Sequence, residues 1–106
     1  MSMNQHSPIR LGMVGGGAGA MIGNVHRIAA RLDGQFDLVA GALSSTPEKA
    51  AASAAQVGIP RSYDDYEAMA QAEAARPDGI QAVSICTPNH LHFPVAKAFL
   101  AQGIHV

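Results

Sequence analysis

Apolar residues along this chain come in two kinds of stretch, and the two alternate. Residues 9–14, 36–43, 59–63 and 80–86 are short, largely apolar runs, as in Phe36, Leu38, Val39, Ala40 and Leu43. Runs of this length read as strands, and near-continuous ones as strands covered on both faces. Between them, apolar residues recur at helical spacing. Val25, Ile28, Ala29 and Leu32 predict a helix that starts near residues 20–22 and reaches Leu32, with Asp33-Gly34 ending it. Ser45-Thr46-Pro47-Glu48 opens a second helix as a capping box, which runs through an Ala-rich segment to Val57 and closes at Gly58. The strand at 59–63 is predicted at an edge because of Pro60. Asp64 and Asp65 start a third helix with Tyr66, Met69 and Ala70 on its inner face, and residues 76–79 stop it. A fourth helix is expected over 93–102, with Val95, Ala96, Phe99 and Leu100 inward and Gly103 past its end.

Strands alternating with helices predict a parallel sheet. Right-handed crossovers then give a doubly wound α/β sheet, expected in the order 3-2-1-4-5. Residues 104–106 begin a fifth strand, where the sequence stops. No repeat, linker or internal boundary divides the chain. The expectation is therefore one domain over residues 1–106, truncated in its fifth strand and belonging to a longer enzyme.

Composition narrows the function. The net charge is −1, so no basic excess argues for nucleic acid or an acidic membrane surface. Trp is absent and other aromatics are few, which disfavours base-stacking platforms. The single cysteine, Cys86, makes no internal disulfide and fits a reducing, cytoplasmic setting. Residues 1–8 form a polar lead-in without the apolar core of a signal peptide. No run of about 18 apolar residues is present, so no membrane span is expected.

The chemistry-bearing stretch is residues 12–23, Gly-Met-Val-Gly-Gly-Gly-Ala-Gly-Ala-Met-Ile-Gly. It lies between a predicted strand and a predicted helix, the context in which a glycine-rich motif has physical meaning. Gly15 lets the chain turn sharply off the strand, and Gly17 lets a phosphate approach the backbone. The helix that follows aims free N–H groups and its positive dipole end at that anion. Gly15, Gly17 and Ala20 satisfy the dinucleotide-binding Gly-x-Gly-x-x-Gly/Ala fingerprint. Gly23 is a second candidate for the close-packing position, which would make the loop wider than usual. The bland alternative is a flexible Gly/Ala turn.

The end of the second strand should hold the residue that reads the adenine ribose, an acid for NAD or a nearby Arg for NADP. Here Leu43-Ser44-Ser45 offers no carboxylate, and the nearest cation is Lys49, a turn into the helix. Ser44 and Ser45 can bond a ribose hydroxyl or a phosphate, or Ser45 is only a helix cap. NAD and NADP both stay open. Thr87-Pro88-Asn89 lies at the carboxyl end of the fourth strand and should face the glycine loop across the crevice where strand order reverses. His90 and His92 lack a neighbouring Cys, Asp or Glu to complete a metal site. His26 reads as a packing or capping residue. Cys86 reads as a small buried residue, with no nearby cation to make it a reactive thiolate.

The glycine loop, the Gly23-x-x-His26 step and Thr87-Pro88-Asn89-His90-Leu91-His92 together resemble the N-terminal half of the Gfo/Idh/MocA oxidoreductases, from residue 9 to 106. The resemblance implies a nicotinamide cofactor held by Gly15, Gly17 and the loop through Ile22, namely Ala18, Gly19, Ala20, Met21 and Ile22. It implies contacts from Thr87, Pro88, Asn89 and His92 to the nicotinamide half. It also implies a substrate domain, a catalytic lysine in a Glu-Lys-Pro motif and a downstream Asp/His pair, none of which this sequence contains. Two departures stand out: the longer glycine loop, and a second strand that ends in Leu43-Ser44-Ser45 rather than Asp. The form Gly41-Ala42-Leu43-Ser44-Ser45 is similar to that of levoglucosan dehydrogenases.

The expected function is therefore the cofactor-binding part of an NAD(P)-dependent sugar or polyol dehydrogenase, with a homo-oligomeric full-length protein and no catalytic residue in this chain. Its rivals are a stand-alone nucleotide-binding regulatory module and an interaction domain that keeps the fold without a cofactor.

Overall fold

The computed structural model describes residues 7–106, so the first six positions of the polar lead-in lie outside the described residues. Strand β1 spans Ile9–Gly15 and helix α1 spans Met21–Arg31. Strand β2 is Phe36–Ala42, and helix α2, Pro47–Val57, ends on left-handed Gly58. Strand β3 is only Arg61–Ser62. Helix α3, Tyr66–Ala75, is capped by Asp65, whose carboxylate accepts from the Ala68 N–H at 2.7 Å. Strand β4 is Ala82–Cys86, and a 3-10 turn at Asn89–Leu91 leads into helix α4, His92–Ala101.

The sheet is parallel in the order β3-β2-β1-β4. The fifth position is marked by a single bridge between Ala82 and His105, held by Val83 N–H to His105 O at 2.8 Å and His105 N–H to Gln81 O at 3.1 Å. The expected order 3-2-1-4-5 therefore holds, and β3 sits at an edge as Pro60 requires. Each face of the sheet has its own core. On one face Val14, Ala40, Val83 and Ile104 pack with Met69, Ala70, Val95 and Phe99 of α3 and α4. On the other, Leu11, Met13 and Leu38 pack with Ala30 and Ala54 of α1 and α2. Parallel strands covered on both faces are apolar at nearly every position, which is why their runs were near-continuous in sequence.

Two expectations need correction. The capping box on Ser45 does not form: Thr46 is the N-cap and Pro47 the first helical residue. That register puts the proline where its missing N–H costs nothing. Ser44 Oγ instead accepts from the Thr46 N–H at 3.2 Å. Leu100 is exposed, because α4 buries the 95/99 pair and Leu100 lies a residue beyond it on the turn. The larger apolar residues that mark α1 in sequence are not the ones it buries. Val25, Ile28 and Leu32 are exposed, whereas Gly23, Arg27 and Ala30 are buried.

Periodicity also passed over a buried polar clasp. Glu73, on the inner side of α3, accepts from Arg61 Nη2 at 2.7 Å and Nε at 2.9 Å, from Tyr63 OH at 2.6 Å and from the Ile80 N–H at 3.1 Å. Burial pushes the Glu73 carboxyl up, but the hydrogen bonds from Arg61 and Tyr63 outweigh it and hold it below the ordinary carboxylate range. The clasp ties edge strand β3 to α3 and to the entry of β4.

Candidate functional site

The site forms where β1 and β4 lie side by side and the chain leaves each of them. Gly15 pairs with Cys86 across the sheet. Gly15 and Gly16 both have positive φ, +75° and +69°. A Cβ on Gly15 would meet the Cys86 carbonyl at 2.9 Å and the Thr87 methyl at 3.0 Å. The structure thus brings Thr87, the first residue of the Thr87-Pro88-Asn89 loop, against the glycine loop.

The wide-turn reading of the loop also holds. Ala20 is the N-cap of α1, so the fingerprint's third position is not in the helix–strand contact. Gly23 takes that part: a Cβ there would land on the Gly16 backbone. Gly17 is also confined from within the protein. A Cβ there would meet Ser53 Oγ at 3.0 Å and the Leu43 carbonyl at 3.1 Å, so α2 and the end of β2 press against it. Ala18 N–H donates to Ser53 Oγ at 3.2 Å, which ties the loop to α2. Among the described residues the Gly17 N–H has no acceptor in the protein. The N–H groups of Met21 and Ile22, in the first turn of α1, are free as every helix start leaves them. Met21 and Ile22 expose their side chains.

From this loop a groove of about 450 Å³ runs along α2. Gly17, Ala18, Ser44, Lys49, Ser53 and Gln56 line it. Ser45 is exposed and lies outside this groove's lining, whereas Ser44 and Lys49 are brought together there with Ser53. Ser53 was missed in sequence. Its signal is there, since it is a lone hydroxyl in an alanine run, one helical turn after Lys49.

On the β4 side, Thr87 Oγ1 is buried without a hydrogen-bond partner, the only such side-chain atom among the described residues. A buried hydroxyl left unpaired is costly, and a ligand atom is one way to satisfy it. Pro88 and Asn89 are exposed at the rim. His92, at the start of α4, uses ring Nε2 to bond the Thr87 carbonyl at 3.0 Å, so it braces the loop. His26 Nδ1 meets Ser84 Oγ at 2.6 Å and joins α1 to β4, consistent with a packing role. Cys86 is half-buried rather than fully buried. Among the described residues no three His, Cys, Asp or Glu side chains converge as a metal site.

These residues fit a dinucleotide. The loop supplies free N–H groups at a helix start, the glycines leave room for a close approach, and Thr87 holds an unsatisfied hydroxyl beside it. The model of a family described as "Oxidoreductase family, NAD-binding Rossmann fold" matches residues 9–106. The chain belongs to the Gfo/Idh/MocA oxidoreductase family. It carries that family's NAD-binding fold across nearly its whole length. An oxidoreductase structure from Sinorhizobium meliloti is 61% identical with a TM-score of 0.90, over 95% of this chain and 28% of that one. A structure of an inositol dehydrogenase homologue complexed with NAD+ from Azotobacter vinelandii is 49% identical with a TM-score of 0.90, over 94% of this chain and 26% of that one. A levoglucosan dehydrogenase from Pseudarthrobacter phenanthrenivorans is 32% identical over 105 residues, 92% of this chain and 25% of that protein. The chain thus spans about a quarter of each relative's length.

Proposed function

We propose that residues 1–106 act as the dinucleotide-binding domain of an NAD-dependent dehydrogenase that oxidises a sugar or polyol. The observation that carries this reading is the unpartnered hydroxyl of Thr87, a residue whose methyl packs against Gly15 where β1 and β4 part. The backbone of Gly15, Gly17, Ala18, Gly19, Ala20, Met21 and Ile22 takes the pyrophosphate. Ser44, Lys49 and Ser53 take the adenine ribose, and Thr87, Pro88 and Asn89 face the nicotinamide half, with His92 holding Thr87 in place. The cofactor, when bound, exchanges a hydride with a substrate carbon at its nicotinamide ring. No residue of this chain is assigned the alcohol proton. A sugar or polyol substrate is supported by two similar proteins, an inositol dehydrogenase homologue and a levoglucosan dehydrogenase.

No carboxylate lines the ribose groove, so nothing there repels a 2′-phosphate, and NADP binds as well as NAD. The working protein is a cytoplasmic homo-oligomer. Free Cys86 supports the reducing compartment, and exposed Val25, Ile28 and Leu32 support burial of α1 against further chain or a second copy. The test is calorimetric titration of the protein with NAD and, separately, NADP. Binding of either supports the assignment, and binding of neither refutes the dinucleotide reading. The Lys49→Ala variant should weaken NADP more than NAD.

A further inference from the structure

Arg27 and Glu73 are the buried charged residues among those described, 4% and 1% exposed, and they differ in one respect. Glu73 sits in a clasp with Arg61, whereas Arg27 has no carboxylate partner. A buried charge without a counter-charge is expensive, so its place in the fold calls for a compensating role. Its Nη1 donates to the Gly16 carbonyl and lies 3.5 Å from Met13 Sδ. Arg27 is one helical turn after Gly23, on the buried side of α1 that rests against Gly16. Burial, and then neighbouring Arg31, lower its pKa from the usual arginine range.

Peptide geometry turns this contact into a statement about the site. No cis peptide bond occurs, so the Gly16–Gly17 unit is trans and planar. In a trans peptide the C=O and N–H point in opposite directions. The guanidinium that draws the Gly16 carbonyl inward therefore turns the Gly17 N–H outward, and that N–H has no acceptor in the protein. Positive φ at Gly15 and Gly16 permits this orientation but does not select it.

We propose that Arg27 is a positioning residue for the cofactor: from beneath the loop it fixes the Gly16–Gly17 peptide so that the Gly17 N–H meets the dinucleotide's pyrophosphate, and its uncompensated charge is matched by that anion. The proposal rests on the NAD-binding reading. It also accounts for a buried guanidinium on a helix face otherwise made of small residues, Gly23 and Ala30.

The test compares wild type, Arg27→Met and Arg27→Lys by NADH fluorescence titration. Adenosine, which has no phosphate, is measured in parallel by ligand-observed NMR. Arg27→Met should weaken NADH about tenfold or more and adenosine by less than about twofold, and Arg27→Lys should recover part of the NADH loss. A purely structural role would weaken both ligands equally. That result, or NADH affinity within about twofold of wild type in Arg27→Met, overturns the proposal. Wild type that binds no NADH overturns the NAD-binding reading and the proposal together, so the two failures are distinct. If circular dichroism shows Arg27→Met unfolded, the amide NMR signal of Gly17 in wild type decides. A downfield shift with NADH supports the proposal, and an unmoved signal overturns it.

Discussion

Replacing Glu73 by Gln tests how far the buried clasp carries the fold. The carboxamide keeps the volume of the carboxylate but turns one acceptor into a donor. Four donors converge on the wild-type group: two from Arg61, one from Tyr63 and the Ile80 N–H. If the new NH2 faces Tyr63, the phenol can accept instead of donating, but Arg61 Nε still loses its partner. If it faces Ile80, Arg61 Nη2 loses its partner as well as the backbone N–H. One to two bonds to a charged group are lost, each about 1.5–3 kcal/mol, so the expected cost is about 2.5 kcal/mol. For a domain of this size that lowers Tm by about 10–20 °C. The comparison should also depend on pH. Glu73 has a folded pKa below its unfolded value, so its stabilisation is complete above the ordinary carboxylate range and is lost as pH falls through the folded value. Wild type should therefore approach Glu73→Gln in Tm as the pH is lowered from 7 to about 3. Thermal melts by circular dichroism across that range measure both effects. A Glu73→Gln melt within about 3 °C of wild type at pH 7, or a gap that stays constant into acid, would refute the reasoning.

Other substitutions probe the site. Gly23→Ala drives a methyl into the Gly16 backbone, so a loss of about 1–3 kcal/mol in thermal stability and a larger loss of NADH affinity are expected. Thr87→Val removes the orphaned hydroxyl while keeping its shape. Stability should hold or rise slightly, while NADH affinity in a fluorescence titration falls about five- to tenfold. Ser53→Ala unties Ala18 from α2 and should weaken NADH binding by about 1 kcal/mol, read in the same titration.

The elements that were plain in sequence are those in which local and tertiary demands coincide. The central strand β1 is apolar because both its faces carry core residues, and α3 starts after Asp65 because an acidic cap suits a helix N-terminus. Gly15 and Thr87 could be placed opposite each other because parallel topology puts the ends of β1 and β4 together. What stayed hidden depends on contacts between distant segments. Arg27 reads as one more charged helix residue until Gly16 is folded back over it. Glu73 carries no local sign of burial, which follows only once β3 brings Arg61 and Tyr63 to it. The α1 periodicity identified a helix but not its inward side, because that side is built from Gly23, Arg27 and Ala30 rather than from the larger apolar residues. Ser45 was misplaced because Pro47 allows two capping registers, and only the one with Thr46 at the cap is used.

The central place of β1 has a consequence for how the chain comes to be folded. It pairs with β2 on one side and β4 on the other, and the β4 register joins Leu11 to Ala82. A ribosome adding about 5–20 residues per second needs roughly 4–14 s to make the residues that separate those partners. Through that interval one edge of a mostly apolar strand has its backbone donors and acceptors unpaired, the condition in which strands join the wrong neighbour. Closing so long a loop is also slow in its own right. Among the described strands β1 thus waits longest for its second partner, and the yield of this protein in cells should follow how well that waiting edge is sheltered.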